Sequence, residues 1–170
     1  MELKADELVV YKSAGVCRVV CEEEQCMDGR TYVKYYKLKP ISDENSTYYI
    51  PVAAAEEKLR RLLKKDEVLA LIDSMPRSAE DDDAVWSENR RERKERYTQI
   101  LRGDDQKALI GLISSLYFRK QDQESRGRRF STMDESAMKS AENLMLQEFG
   151  VVLGLEPEQV RGFIADRVNA

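Results

Sequence analysis

Histidine is absent from this 170-residue sequence, and tryptophan, proline and long apolar runs are scarce. Without histidine the chain lacks the commonest general base and the commonest zinc ligand, which excludes histidine-dependent triads and zinc sites. The spacing of Cys17, Cys21 and Cys26 matches neither a disulfide framework nor a zinc knuckle, so we expect reduced thiols and no metal. Glycine-rich phosphate-binding motifs are also missing, and we therefore expect neither an enzyme nor a cofactor.

Charge is distributed unevenly along the chain. The net charge is −4, which argues against a protein that coats nucleic acid, because counterion release requires many phosphate contacts. Residues 86–129 nevertheless carry 12 Lys or Arg against 7 Asp or Glu, which leaves room for one local basic patch. No apolar run approaches the roughly 18 residues of a membrane span, and residues 1–6 lack the apolar core of a signal peptide. We expect a cytoplasmic protein with no membrane partner.

The first third of the chain has the pattern of short strands. β-Branched and aromatic residues recur, and polar or glycine-containing turns separate them at 12–15, 27–29 and 42–46. The apolar segments are 8–11, 15–20, 32–38 and 47–52. Four or five short strands in so few residues predict a small, strongly bent β-barrel of the Tudor or SH3 type in a domain spanning 1–54.

After Pro51 the apolar period becomes helical. One or two short helices, including Leu59 and Ile72, should end before Pro76. Residues 78–83 are predicted to form a polar hinge and helix entrance, whose acidic run 81–83 suits a helix N-terminus. Four further helices are predicted: from about Asp83 to Arg102, stopping at Gly103; over 105–120; from Ser131 or Thr132 to Phe149; and from Pro157. The predicted fold is therefore α+β, with an all-α domain of about five helices spanning 55–170.

The only tryptophan opens the basic segment. On a helix, Trp86, Arg90, Arg93 and Tyr97 would lie along one side, where arginines can bind phosphates while the ring meets a base step. The alternative is a tryptophan buried against the helical bundle, with a solvated charged helix beyond it. Glutamates interleaved with the arginines form exposed pairs worth only about 0.3–0.5 kcal/mol, so we expect weak intrinsic DNA affinity.

Several segments resemble a known family in the same order along the chain. Residues 6–16, DELVVYKSAGV, resemble the opening "G-D-x-V-V-Y-x-x-x-G-V" of CarD/CdnL-type bacterial transcription regulators. That module is shared with the polymerase-interacting domain of the transcription-repair coupling factor. Further similarities to the family's motifs lie at 35–39, 48–56, 101–104, 116–121 and 138–144. The resemblance covers nearly the whole chain.

The resemblance implies a function for each domain. In that family the Tudor-like domain binds the RNA polymerase β subunit, and the helical domain contacts promoter DNA at the upstream edge of the bubble, where a tryptophan stabilises the open complex from the minor groove. Carried over by position, the tryptophan that enters the minor groove as a wedge is Trp86. The phosphate contacts would come from Arg90, Arg91, Arg93, Lys94 and Arg119, with additions from the loop residues Arg126, Arg128 and Arg129. The polymerase surface comprises Gln25, Arg30, Tyr32, Tyr48, Tyr49, Ile50 and Pro51.

The chain departs from the family pattern at three places. Ala5 replaces the first glycine of the opening motif, Tyr48 or Tyr49 stands where arginine is frequent, and the loop 124–130 is longer than usual. The tyrosines predict a more apolar or shifted polymerase contact. We expect a monomeric, non-enzymatic transcription regulator with little DNA sequence specificity. The alternative function is a protein-interaction adaptor that binds polymerase or another partner without touching DNA.

Overall fold

The computed structural model describes residues 1–12, 14–26, 28–81 and 86–169. The chain divides into two compact units, Met1–Leu62 and Leu63–Ala170. The sequence analysis placed this division after residue 54. The difference arises because the chain makes a helical turn after Pro51 and then returns to the first unit as a final strand, which only long-range pairing reveals.

An antiparallel five-stranded sheet forms the first unit. Its strands are β1 (Leu8–Tyr11), β2 (Gly15–Cys26), β3 (Tyr32–Pro40), β4 (Tyr48–Pro51) and β5 (Leu59–Arg61), in the spatial order β4-β3-β2-β1-β5. The predicted barrel is not confirmed: the sheet is open, with β4 and β5 at its two edges. Leu59 was predicted to be helical, but it lies in β5 and pairs with Tyr11 of β1, because strand pairing overrides a short helical pattern.

Alternation along the strands builds the core of the first unit. Val9, Val19, Leu38 and Ile50 are buried on one face of the sheet. Tyr36 joins them, and its hydroxyl accepts a hydrogen bond from the Leu3 amide and donates one to the Met1 carbonyl, each at 3.2 Å. The N-terminal segment is thereby tied to β3. The predicted turns at 12–15 and 27–29 contain Ser13 and Met27, which lie outside the described residues.

Six α-helices occur in the described part of the chain, one more than the approximate count predicted. They are α1 (Ala55–Lys58), α2 (Lys65–Asp73), α3 (Arg90–Arg102), α4 (Gln106–Ser125), α5 (Thr132–Leu153) and α6 (Pro157–Val168). The additional helix is α1, a single turn within the first unit. The predicted entrance to α3 included residues 82–85, which lie outside the described residues. No helix in the described ranges is long and apolar enough to cross a membrane.

Helix α5 is the centre of the second unit and packs against α2, α3, α4 and α6. Its inward residues Ala141, Met145 and Phe149 join a core to which the other helices contribute Val68, Ile72, Leu109, Leu116 and Val160. A Cβ at Gly150 would approach the Leu155 carbonyl oxygen to 2.8 Å, so only glycine allows the close turn into α6. The buried Glu148 carboxylate accepts the Leu63 amide at 2.9 Å, which fixes the beginning of this unit to α5.

Candidate functional site

Trp86 lies in the segment before α3 and not on the helix itself. The Asn89 side chain accepts hydrogen bonds from the Arg91 and Glu92 amides at 3.0 and 3.2 Å, an N-cap that begins the helix at Arg90. The prediction that Trp86 lies on one side of a helix together with Arg93 and Tyr97 is therefore wrong for Trp86. Arg93 and Tyr97 do share α3, at a spacing of four residues.

Two guanidinium groups lie over the Trp86 ring. The Cζ atoms of Arg93 and Arg119 lie 4.6 and 4.3 Å from the ring centroid. The indole is half-buried and packs against the helical core, so it is neither sealed inside nor fully free. Each such cation–π contact is worth about 0.5–2 kcal/mol, increasing as the pair is desolvated. Arginine suits this position because its planar guanidinium can stack on the ring while its N–H groups donate elsewhere.

Arg93, which lies over the Trp86 ring, is also bound to a buried carboxylate. Its Nε and Nη2 atoms donate to the two Asp134 oxygens at 3.4 and 3.3 Å. The side chains of Arg93 and Asp134 are only 13% and 3% exposed, so this ion pair is largely desolvated. Asp134 lies in the first turn of α5, where the helix dipole favours a negative charge. The arginine therefore forms an ion pair with a buried carboxylate in addition to its cation–π contact with the indole.

Further hydrogen bonds satisfy Asp134. It accepts from the Tyr97 hydroxyl and from Ser131 Oγ, each at 2.6 Å, while Ser131 Oγ also caps α5 by accepting the Asp134 amide at 3.1 Å. Burial, followed by the hydrogen bond to Asp134, raises the pKa of Tyr97 above its usual range. The Tyr97 hydroxyl therefore stays protonated and remains a donor at neutral pH.

The segment that carries Trp86 is fixed to α3. Arg93 Nη1 donates to the Ser87 and Glu88 carbonyl oxygens at 3.2 and 3.4 Å. Ser87 Oγ donates to Glu92 Oε2 at 2.8 Å. Arg119 approaches from α4 and contacts Glu88 Oε1 at 3.4 Å, while its Nε atom is buried and finds no hydrogen-bond partner among the described residues.

The remaining predicted phosphate contacts lie on the surface. Arg90, Arg91 and Lys94 are exposed on the first two turns of α3. Arg91 forms an exposed pair with Glu95 at 3.5 Å, and such a pair can yield to a phosphate at little cost. The loop residues Arg126, Arg128 and Arg129 are also exposed, and Arg126 pairs with Asp122 at 3.3 Å. Arg93 and Arg119 differ from this group because the indole engages both.

A groove of about 670 Å³ runs beside the tryptophan between α3 and α4. Its apolar lining includes Ile100, Leu112 and Phe118. Arg96 also lines it, together with Arg93 and Arg119. Sequence reasoning missed Arg96, although it belongs to the same charged run. It also missed the Asp134 network, because no local signal connects residues 41 positions apart.

The predicted polymerase residues occupy different environments in the first unit. Tyr32 and Tyr49 are exposed, at 70% and 42%. Arg30 is exposed in the β2–β3 turn, while Gln25 in β2 and Pro51 in β4 are half-buried. Tyr48 is half-buried and packs edge to face on Tyr11, with the ring centroids 5.1 Å apart, and the Ile50 side chain is buried in the core. The structure therefore leaves Tyr32, Tyr49 and Arg30 as the accessible side chains of this set.

The three cysteines lie on β2 in three different environments. Cys17 is buried, Cys21 is half-buried and Cys26 is exposed, and none forms a disulfide. Burial raises the pKa of Cys17 to about 11. Among the described residues, no cluster of cysteine, aspartate or glutamate is arranged to hold a metal ion.

A comparison with protein families identifies the first unit. Residues 3–63 match the family described as CarD-like/TRCF RID domain, a match that coincides with the sheet unit and ends where the helical unit begins. The match covers the first unit and little more, so it assigns that unit, and not the whole chain, to the CarD-like/TRCF RID domain family, as the sequence resemblance implied. It indicates a transcription-related role with RNA polymerase as the partner of this unit. A search of curated proteins found no match.

Proposed function

We propose that the chain is a non-enzymatic transcription regulator that stabilises the promoter open complex. Its first unit binds the polymerase β subunit, and its second contacts DNA at the upstream edge of the bubble. The observation that carries this proposal is the position of Trp86: the only indole of the chain is half-buried at the surface of the helical unit, next to the exposed basic residues Arg90, Arg91 and Lys94. A partly exposed aromatic ring beside phosphate-binding groups is what insertion into a groove requires.

Tethering explains why strong DNA affinity is unnecessary. A net charge of −4 opposes free binding to DNA, and part of the basic set is already engaged within the protein. Polymerase binding raises the effective concentration of the helical unit near the promoter, so a weak patch suffices. The chain would act on DNA that polymerase has already bent and opened, without reading its sequence.

The polymerase contact is proposed to be centred on exposed tyrosines. Tyr49 lies on the edge strand β4 opposite Lys37 of β3, and Tyr32 begins β3 opposite Cys26 of β2. Tyrosine supplies apolar area and a hydroxyl, a combination that is enriched at protein interfaces. An edge strand additionally offers backbone groups to a partner strand.

The test of the proposed function is replacement of Trp86 by alanine. We expect Trp86→Ala to shorten the lifetime of the open complex after competitor challenge by about tenfold, on the scale of a lost anchoring aromatic side chain. Polymerase binding, measured by pull-down, should not change. Tyr117→Ala, which removes an aromatic ring 51% exposed on α4, is the matched control. Equal lifetimes for the wild-type protein and Trp86→Ala would reject the function.

One observation favours the alternative, an adaptor that never touches DNA. The Trp86 ring is already covered by two guanidinium groups, and Arg93 is committed to Asp134. In an adaptor these contacts would be purely structural. Salt titration of a ternary complex on forked promoter DNA distinguishes the two functions: Arg90→Gln lowers the salt slope for the regulator and leaves it unchanged for the adaptor.

A further inference from the structure

We propose that Arg93 is a positioning residue that holds the Trp86 indole ready for DNA, and that it does not contact phosphate. This inference rests on the proposed function of Trp86. It reassigns Arg93, which the sequence analysis grouped with the phosphate contacts.

The hydrogen bonds of Arg93 support this role. Two of its nitrogens donate to Asp134, and the third donates to the carbonyl oxygens of Ser87 and Glu88. Only 13% of the side chain is exposed. Turning the guanidinium toward a phosphate would leave the Asp134 charge buried without its cation, which is strongly unfavourable. Arg93 therefore stays in place when DNA approaches.

The same contacts fix the indole from two directions. Through the Ser87 and Glu88 carbonyls, Arg93 binds the backbone next to Trp86, and its Cζ atom lies over the ring. Ser87 adds an independent attachment to α3 through Glu92. A ring that is held before binding loses less conformational entropy when it enters a groove, so the wedge needs less compensating contact energy.

Arg119 is held differently, which singles out Arg93 as the anchor. Among the described residues it forms an ion pair with Glu88, a side chain that is 87% exposed, and its Nε atom has no hydrogen-bond partner there. An arginine bound to one exposed carboxylate can exchange it for a phosphate. Both arginines lie over the ring, but Arg119 has only an exposed carboxylate to exchange for a phosphate, whereas Arg93 is bound to the buried Asp134.

The single tryptophan makes this arrangement measurable in the free protein. Fluorescence excited at wavelengths that tyrosine does not absorb reports on Trp86 alone, and acrylamide, a neutral quencher, is insensitive to nearby charge. Arg93→Lys keeps a cation opposite Asp134 but loses the planar fork, so we expect red-shifted emission and stronger quenching. Arg91→Lys, on the exposed face of the same helix, is the matched control and should change neither.

The functional measurements separate positioning from phosphate binding. Arg93→Lys should shorten the open-complex lifetime by about fivefold, on the scale of one lost cation–π contact, and Arg93→Gln should leave the salt slope of the ternary complex unchanged. Arg90→Gln should lower that slope by about one. A thermal melt identifies any variant that does not fold. If Arg93→Gln does not fold, the quenching and the open-complex lifetime of Arg93→Lys decide whether Arg93 positions the ring.

The outcomes distinguish this inference from the proposed function. If Trp86→Ala leaves the lifetime unchanged, the proposed function fails, while the quenching of Arg93→Lys still tests whether the ring is held. If Trp86→Ala shortens the lifetime but Arg93→Lys alters neither quenching nor lifetime, the positioning role of Arg93 is rejected. A salt slope that falls in Arg93→Gln as far as in Arg90→Gln would show that Arg93 contacts phosphate.

Discussion

Tyr97 donates its hydroxyl to Asp134 across 2.6 Å, joining α3 to the first turn of α5 over 37 residues of sequence. Arg93 and Ser131 converge on the same carboxylate. A buried charge of this kind is tolerated because hydrogen bonds replace its lost water. The network fixes the segment that carries Trp86 to the rigid core of the helical unit.

Removal of the Tyr97 hydroxyl should destabilise the protein. We expect Tyr97→Phe to lower the free energy of unfolding by about 1–3 kcal/mol, because Asp134 remains buried with one donor fewer. Urea denaturation followed by circular dichroism measures the change. Tyr117→Phe, which removes an exposed hydroxyl that accepts from Gln121 at 2.8 Å, should stay within about 0.5 kcal/mol of the wild type. Equal losses in the two variants would contradict a structural role for the network.

The same tyrosine predicts a dependence of stability on alkaline pH. Because the pKa of Tyr97 is raised in the folded state, its contribution is fully present below its ordinary value of 10.0 and is lost as pH rises through the folded value. The free energy of unfolding should therefore fall more steeply above pH 10.0 in the wild type than in Tyr97→Phe. Denaturant titrations of both proteins between neutral and strongly alkaline pH measure the difference, and parallel curves would refute it.

The cysteines of β2 should differ in reactivity. Burial raises the pKa of Cys17 to about 11, and its sulfur has no access to solvent, whereas Cys26 is exposed. Iodoacetamide at mildly alkaline pH should therefore label Cys26 rapidly and Cys17 only after denaturation. Peptide mass spectrometry of timed samples follows both sites. Labelling of Cys17 at the Cys26 rate in the folded protein would contradict the buried environment.

The sheet unit should bind polymerase through its exposed tyrosines. We expect Tyr49→Ala and Tyr32→Ala each to weaken binding to the isolated β lobe by about tenfold, typical of an aromatic hot spot. Tyr35→Ala is the control within the same strand as Tyr32, because Tyr35 is half-buried. Titration calorimetry gives the affinities. Unchanged affinity in both exposed-tyrosine variants would place the polymerase contact elsewhere on the unit.

A basic residue outside the proposed DNA surface provides a check on the salt measurements. Arg161 on α6 is exposed and pairs with Glu142 at 3.0 Å. Arg161→Gln should leave the salt slope of the ternary complex unchanged, whereas Arg90→Gln lowers it by about one. An equal decrease in both variants would mean that the slope reflects overall charge rather than specific phosphate contacts.

Local sequence signals were reliable where short-range physics determines the structure. Ser131 caps α5 and Pro157 begins α6 as predicted, because capping and proline geometry act within one helical turn. The opening motif identified the family of the first unit, which the match over residues 3–63 confirms. The apolar segments likewise located β1, β3 and β4 to within about two residues, whereas β2 continues to Cys26, well beyond the predicted end at residue 20, because its second half is polar.

The tertiary structure decided what depends on distant partners. It placed Leu59 in the edge strand β5 opposite Tyr11 and left the sheet open. The start of α3 at Arg90, by contrast, follows from the local Asn89 cap, a signal that the sequence analysis overlooked. The tertiary structure also brought Asp134 beneath Arg93, which no spacing in the sequence indicates. Hydrogen bonding within a turn is specified by neighbouring residues, whereas strand pairing and the partner of a buried charge arise only when the whole unit packs.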